Sequence, residues 1–94
     1  MDVRDRLRAL TEELDRLRTE VRILDEQVEF QTDVAGDARL RAMVSETPLA
    51  ERESREAGDD LARLVRSRDE TRARIDALRA EQDRLLEQLI EPPT

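Results

Sequence analysis

The stretch VRDRLRALTEELDRLRTEVRILDEQV, residues 3–28, decides the fold. Stepping alternately by four and three from Val3 reaches Leu7, Leu10, Leu14, Leu17, Val21, Leu24 and Val28, all of them branched aliphatics. A repeat of about 3.5 residues puts these side chains on one stripe of an α-helix, the a/d seam of a coiled coil. The same stepping continues through Gln31, Ala35, Ala38 and Ala42, where the side chains shrink but the register holds.

The second half carries the same seam in reverse order of size. Ala50, Ser54, Ala57, Leu61, Leu64, Arg68, Thr71, Ile75, Leu78, Gln82, Leu85 and Leu89 run from small to large. Val3 with Leu89, Leu7 with Leu85, Leu14 with Leu78, Leu17 with Ile75, Val28 with Leu64 and Ala42 with Ala50 all share one midpoint, residue 46. A single midpoint is what a chain doubled back on itself requires. Ser45-Glu46-Thr47-Pro48 sits there, with Thr47 suited to cap a helix and Pro48 suited to its first turn. Glu51 and Glu53 follow near that helix start, where the helix dipole favours acid.

The expected fold is therefore all-α: an antiparallel two-helix coiled-coil hairpin, one domain over residues 1–94. Helix 1 is expected over 2–44, a turn over 45–47, helix 2 over 48–91 and a C-terminal tail over 92–94, with Pro92-Pro93 ending the second helix. Each arm would be about 65 Å long at about 1.5 Å per residue.

Composition agrees. Of the 94 residues 44% are charged and only 1% aromatic, which would suit a disordered chain were the apolar residues not so regularly spaced. The net charge is −7 and all 17 basic residues are Arg. An acidic balance argues against direct nucleic-acid binding and against anionic membrane surfaces. No run is long and apolar enough to span a membrane, and the first residues are acidic and Arg-rich where a signal peptide would be apolar. A cytoplasmic location is expected, and the absence of Cys fits a reducing compartment.

Flanking charges give the register mixed support. Glu20 is expected near Arg74, Arg41 near Glu53 and Arg39 near Glu51, whereas Glu13 would face Glu81 and Arg18 would face Arg72 with like charge. Within the helices, Glu12–Arg16, Asp59–Arg63 and Glu70–Arg74 have the favourable order for pairs four apart. Gln31, Arg68, Thr71 and Gln82 interrupt the seam and read as register-setting polar residues, with the Arg68 head group reaching out to water.

Several apolar side chains lie off the seam. Ile23, Phe30 and Val34 form a second stripe on helix 1, the expected self-association surface. Leaving Phe30 in water forgoes roughly 1.5–3 kcal/mol, so the hairpin is expected to pair into a helical-bundle dimer. Met43, Val44 and Leu49 cluster at the turn among Asp37, Glu46, Glu51 and Glu53, and make a candidate tip interaction surface. Val65, Leu86 and Ile90 lie on another flank of helix 2. Gly36 and Gly58 lie almost opposite each other and read as a packing accommodation, as an early end to helix 1 at Gly36, or as a paired hinge for the tip.

Nothing in the chain points to catalysis. Without Cys or His there is no thiol–imidazole pair and no Ser–His–Asp triad, and no Gly-rich phosphate loop occurs. The carboxylates fall on solvated faces, and none lies in the seam where a bundle would hold a metal. No cofactor, metal or small-molecule substrate is expected; the expected partner is protein, first of all a second copy.

The acidic tip around Met43, Val44 and Leu49, at the end of a long hairpin, resembles in outline the coiled-coil hairpin of Gre-type transcript cleavage factors and, more loosely, of DksA-like proteins. That resemblance implies a transcription regulator binding RNA polymerase through its tip. Ser45-Glu46-Thr47-Pro48-Leu49 departs from the acidic-Leu-x-Glu-Asn run of the Gre tip, and neither the globular domain of Gre factors nor the zinc finger of DksA is in this sequence, so no functional residue carries over. The leading expectation is a non-catalytic coiled-coil interaction module that self-associates as a scaffold or adaptor.

Overall fold

The computed structural model describes residues 2–90. It holds two α-helices, α1 (Val3–Ser45) and α2 (Pro48–Ile90), packed against each other as an antiparallel hairpin. The stop at Pro92-Pro93, the last residue of the expected second helix and the tail 92–94 lie outside the described residues.

Both helix starts are capped by side chains. Asp5 donates its backbone N–H to Asp2 Oδ1 at 2.8 Å, so α1 begins one residue later than expected with Asp2 as its cap. Ala50 donates its N–H to Thr47 Oγ1 at 3.2 Å, which places Thr47 as the cap of α2 and Pro48 at its first position. Only Glu46 and Thr47 separate the helices, and α1 runs one residue further than expected, through Ser45. Glu46 donates its N–H to the Ala42 carbonyl at 3.0 Å and has φ 51°, the left-handed turn that commonly follows a helix end. That conformation usually falls to glycine; here a glutamate adopts it.

The seam is buried as the spacing requires. Every seam position from Val3 to Ala42 and from Ala50 to Leu85 is buried or half-buried, and Leu89 is the exception. By its packing the chain forms two compact units, one made of the residues up to Val21 with those from Glu70 onward, the other of Arg22–Asp69.

In the first unit Leu10, Leu14 and Leu78 are at most 1% exposed, with Leu17, Ile75 and Leu85 packed around them. These are branched side chains from both helices, and burying each stabilises the unit by roughly 1.5–3 kcal/mol. In the second unit the buried residues are the small ones, Ala38 and Ala57. Leu24, Val28, Leu61 and Leu64 are only half-buried there.

Flank charges pair differently from expectation. Arg6 grips Glu81 and Arg74 reaches Glu13 at 3.4 Å. Glu13 and Glu81, the like-charged pair expected to oppose each other, thus each take an arginine displaced by one heptad, and Glu20 is not the partner of Arg74. Toward the turn, Arg39, Arg41, Glu51 and Glu53 are exposed and none of them forms an ion pair among the described residues. Within helices the structure shows pairs three apart, Arg8–Asp5, Arg18–Asp15 and Arg63–Asp60, and the adjacent pair Arg68–Asp69, rather than Glu12–Arg16, Asp59–Arg63 and Glu70–Arg74. Such exposed pairs contribute tenths of a kcal/mol, so rotamer preference decides among them. Arg68 turns its head group to carboxylates at the edge of the seam, Asp69 at 3.3 Å and Asp25 at 4.0 Å.

Candidate protein interaction surfaces

The stripe on α1 arises because a second row of apolar residues lies about a quarter-turn from the seam. Ile23 is half-exposed and Phe30, the only aromatic residue of the chain, is 70% exposed. The two line a shallow depression together with Glu26, Gln27, Gln31 and, from α2, Leu64. Exposed Phe30 of α1 and Leu64 of α2 thus line one groove. The groove lies wholly in the unit Arg22–Asp69.

Val34 does not share this exposure. It is half-buried and lines a neighbouring depression with Gln31, Ala38, Arg41 and the α2 residues Glu53, Glu56, Ala57 and Asp60. The stripe thus bends toward α2 at its far end.

At the tip the expected residues are all exposed. Met43, Val44 and Leu49 are exposed, Val44 by 85%, and Glu46, Glu51 and Glu53 are exposed around them. Sequence reasoning missed Leu40, which is 61% exposed and joins Met43 at a notch that also touches Thr32, Asp33, Gly36, Asp37 and Arg39. The signal was available, because Leu40 lies off the seam, three residues before Met43 and four before Val44. Gly36 opens the notch, since no side chain fills the surface there.

Both glycines lie inside unbroken helix, so α1 does not end at Gly36. Neither has a positive φ, and a Cβ built on either would meet nothing within 4 Å. Close packing of the two helices is therefore not what requires them.

One of the polar seam residues ties the two helices together. Gln31 Nε2 donates to the backbone carbonyl of Ala57 at 3.1 Å, across the helix pair. On the open flank of α2, Val65 is half-buried while Leu86 and Ile90 are exposed.

Among the described residues no group of three or more acidic side chains is placed to hold a metal ion, and no helix is long and apolar enough to cross a membrane. One perturbed ionisable pair stands out. The hydrogen bond from Arg6 holds the Glu81 carboxyl below its ordinary range, and the same bond raises Arg6. That pair lies in the same unit as the buried leucine cluster.

No family model, curated protein or solved structure matches this chain.

Proposed function

We propose that this protein is a non-catalytic coiled-coil interaction module that associates with a second copy of itself through the Ile23–Phe30 face of α1. The observation that carries the reading is the exposed Phe30 lining one groove with Ile23 and Leu64. Ile23, Gln27, Phe30 and Val34 keep the four-and-three stepping of the main seam, the pattern by which one helix receives another. Covering Phe30 alone would recover roughly 1.5–3 kcal/mol, and a two-fold pairing covers it twice. With one face closed by its copy, the module has its tip and the α2 flank left for another protein.

Light scattering at tens of micromolar tests this. Twice the chain mass is expected, falling to a monomer in Phe30→Asp with helical circular dichroism retained. A wild-type monomer under those conditions would overturn the proposal.

The exposed tip supports a second reading, a transcription regulator that presents Leu40, Met43, Val44 and Leu49, ringed by Glu46, Glu51 and Glu53, to RNA polymerase. Under that reading Leu49→Ala and Glu51→Ala abolish the regulator's effect on transcription while Phe30→Asp does not. A self-associating scaffold shows the opposite pattern.

A further inference from the structure

We infer that the tip, residues 37–57, opens as a local unit of the hairpin, with Gly36 and Gly58 as the paired points where the helices give way. This goes beyond the self-association reading and does not depend on it. Three observations converge on one level of the helix pair.

The first is the loss of bulky seam residues. Val28 and Leu64 form the last layer with a branched side chain on both helices. Gln31 faces Leu61, and beyond them the facing residues are Ala35 with Ala57, Ala38 with Ser54 and Ala42 with Ala50. Each Ala or Ser buries little area, so the tip is held far more weakly than the leucine cluster around Leu14 and Leu78.

The second is the glycines themselves. Gly is the poorest helix former after Pro, and here one sits on each helix at nearly the same level, where the seam thins. A glycine inside a helix is commonly explained by a close neighbour or a positive φ. Gly36 and Gly58 have neither, and each would accept a Cβ into open space. What they do is lower the helix stability of both arms together.

The third is the placement of the cross-helix fasteners. Gln31 ties α1 to the carbonyl of Ala57, the residue next to Gly58. Past that bond, toward the turn, Arg39, Arg41, Glu51 and Glu53 form no ion pair among the described residues. Beyond the Gln31 bond at its base, the tip is joined by a two-residue turn and a seam of small side chains.

Met43, Val44 and Leu49 ride on this segment. Opening changes their spacing at small cost, so a partner that grips the tip can reshape it without disturbing the leucine cluster. Local opening of this kind is expected where apolar contacts are few and backbone hydrogen bonds are exposed.

Hydrogen exchange read by mass spectrometry on the full chain tests the inference. Amides of 37–57 should exchange faster than those of 8–20 and 72–84, and with weaker dependence on added urea. Gly36→Ala with Gly58→Ala should slow the tip roughly tenfold, because both substitutions stabilise helix that must melt for the tip to open. Gly58→Ala alone, which leaves the notch on α1 intact, should slow it by roughly threefold. Equal exchange of tip and leucine cluster, or a tip rate unchanged by the double substitution, would overturn the proposal.

Discussion

Arg6 meets Glu81 through a two-pronged contact, Nε donating to Oε2 at 2.6 Å and Nη2 donating to Oε1 at 2.8 Å. The planar guanidinium matches the carboxylate fork, the strongest geometry a surface ion pair adopts. It joins residue 6 of α1 to residue 81 of α2 beside the leucine cluster. The neighbouring pair of Arg74 with Glu13 repeats the arrangement at single contact.

This pair gives a pH prediction whose sign is set. Glu81 has a folded-state pKa below its ordinary value of 4.5, chiefly through the hydrogen bond from Arg6. A lowered acid contributes stability above its unfolded pKa and loses it as pH falls through the folded one. Glu81→Gln should therefore cost stability at neutral pH, and the gap to wild type should close as pH drops below the ordinary glutamate range. Thermal melts from pH 7 to pH 2 check it. A gap independent of pH would show that the ionised form of Glu81 is not what matters.

Glu46 should be the easiest position to improve. Its φ of 51° is disfavoured for any residue with a Cβ. Glu46→Gly should raise stability by up to about 1 kcal/mol, as relief in the folded state exceeds the entropy added to the unfolded chain. Urea denaturation measures it. A loss of stability would mean that the Glu46 side chain contributes more than its backbone costs.

Leu14 is 1% exposed at the centre of the leucine cluster. Leu14→Ala should destabilise by about 2–4 kcal/mol, from lost transfer energy and the cavity left behind. Ala38, equally deep but in the small-residue section, should respond in the opposite way to enlargement. Ala38→Leu would overfill the small-residue section of the seam and cost about 1–3 kcal/mol. Equilibrium unfolding of the two variants checks both directions.

Gln31 separates stability from specificity. Its bond to the Ala57 carbonyl is met only in one register. Gln31→Leu should raise the melting temperature, since an apolar side chain suits a half-buried seam position, yet broaden the distribution of oligomers in light scattering. A variant that is less stable and uniform in mass would show that the hydrogen bond contributes more than leucine burial.

The hairpin was legible in residues rather than in composition. The midpoint shared by Leu14 with Leu78 and Leu17 with Ile75 placed the bend, and the Thr47 cap confirmed it from an independent side chain. The exposed residues were legible for the same reason: Phe30, Met43, Val44 and Leu49 fall off a regular seam, so their positions on the helix surface follow from counting. Leu40 was open to the same counting.

What the chain alone determined, then, is everything that follows from a period: two helices, their antiparallel register, the buried stripe and the apolar residues left outside it. Only the folded structure decided that Glu13 and Glu81 each find an arginine a heptad away, that Val34 tucks toward α2 while Phe30 stands clear, that Glu46 takes the left-handed turn, and that the two glycines answer no steric need. The physical reason is the range of the forces involved. Burial along a helix repeats with the backbone and is written in the spacing, whereas a long charged side chain chooses among rotamers of nearly equal energy. That choice depends on distances that exist only once both helices are in place.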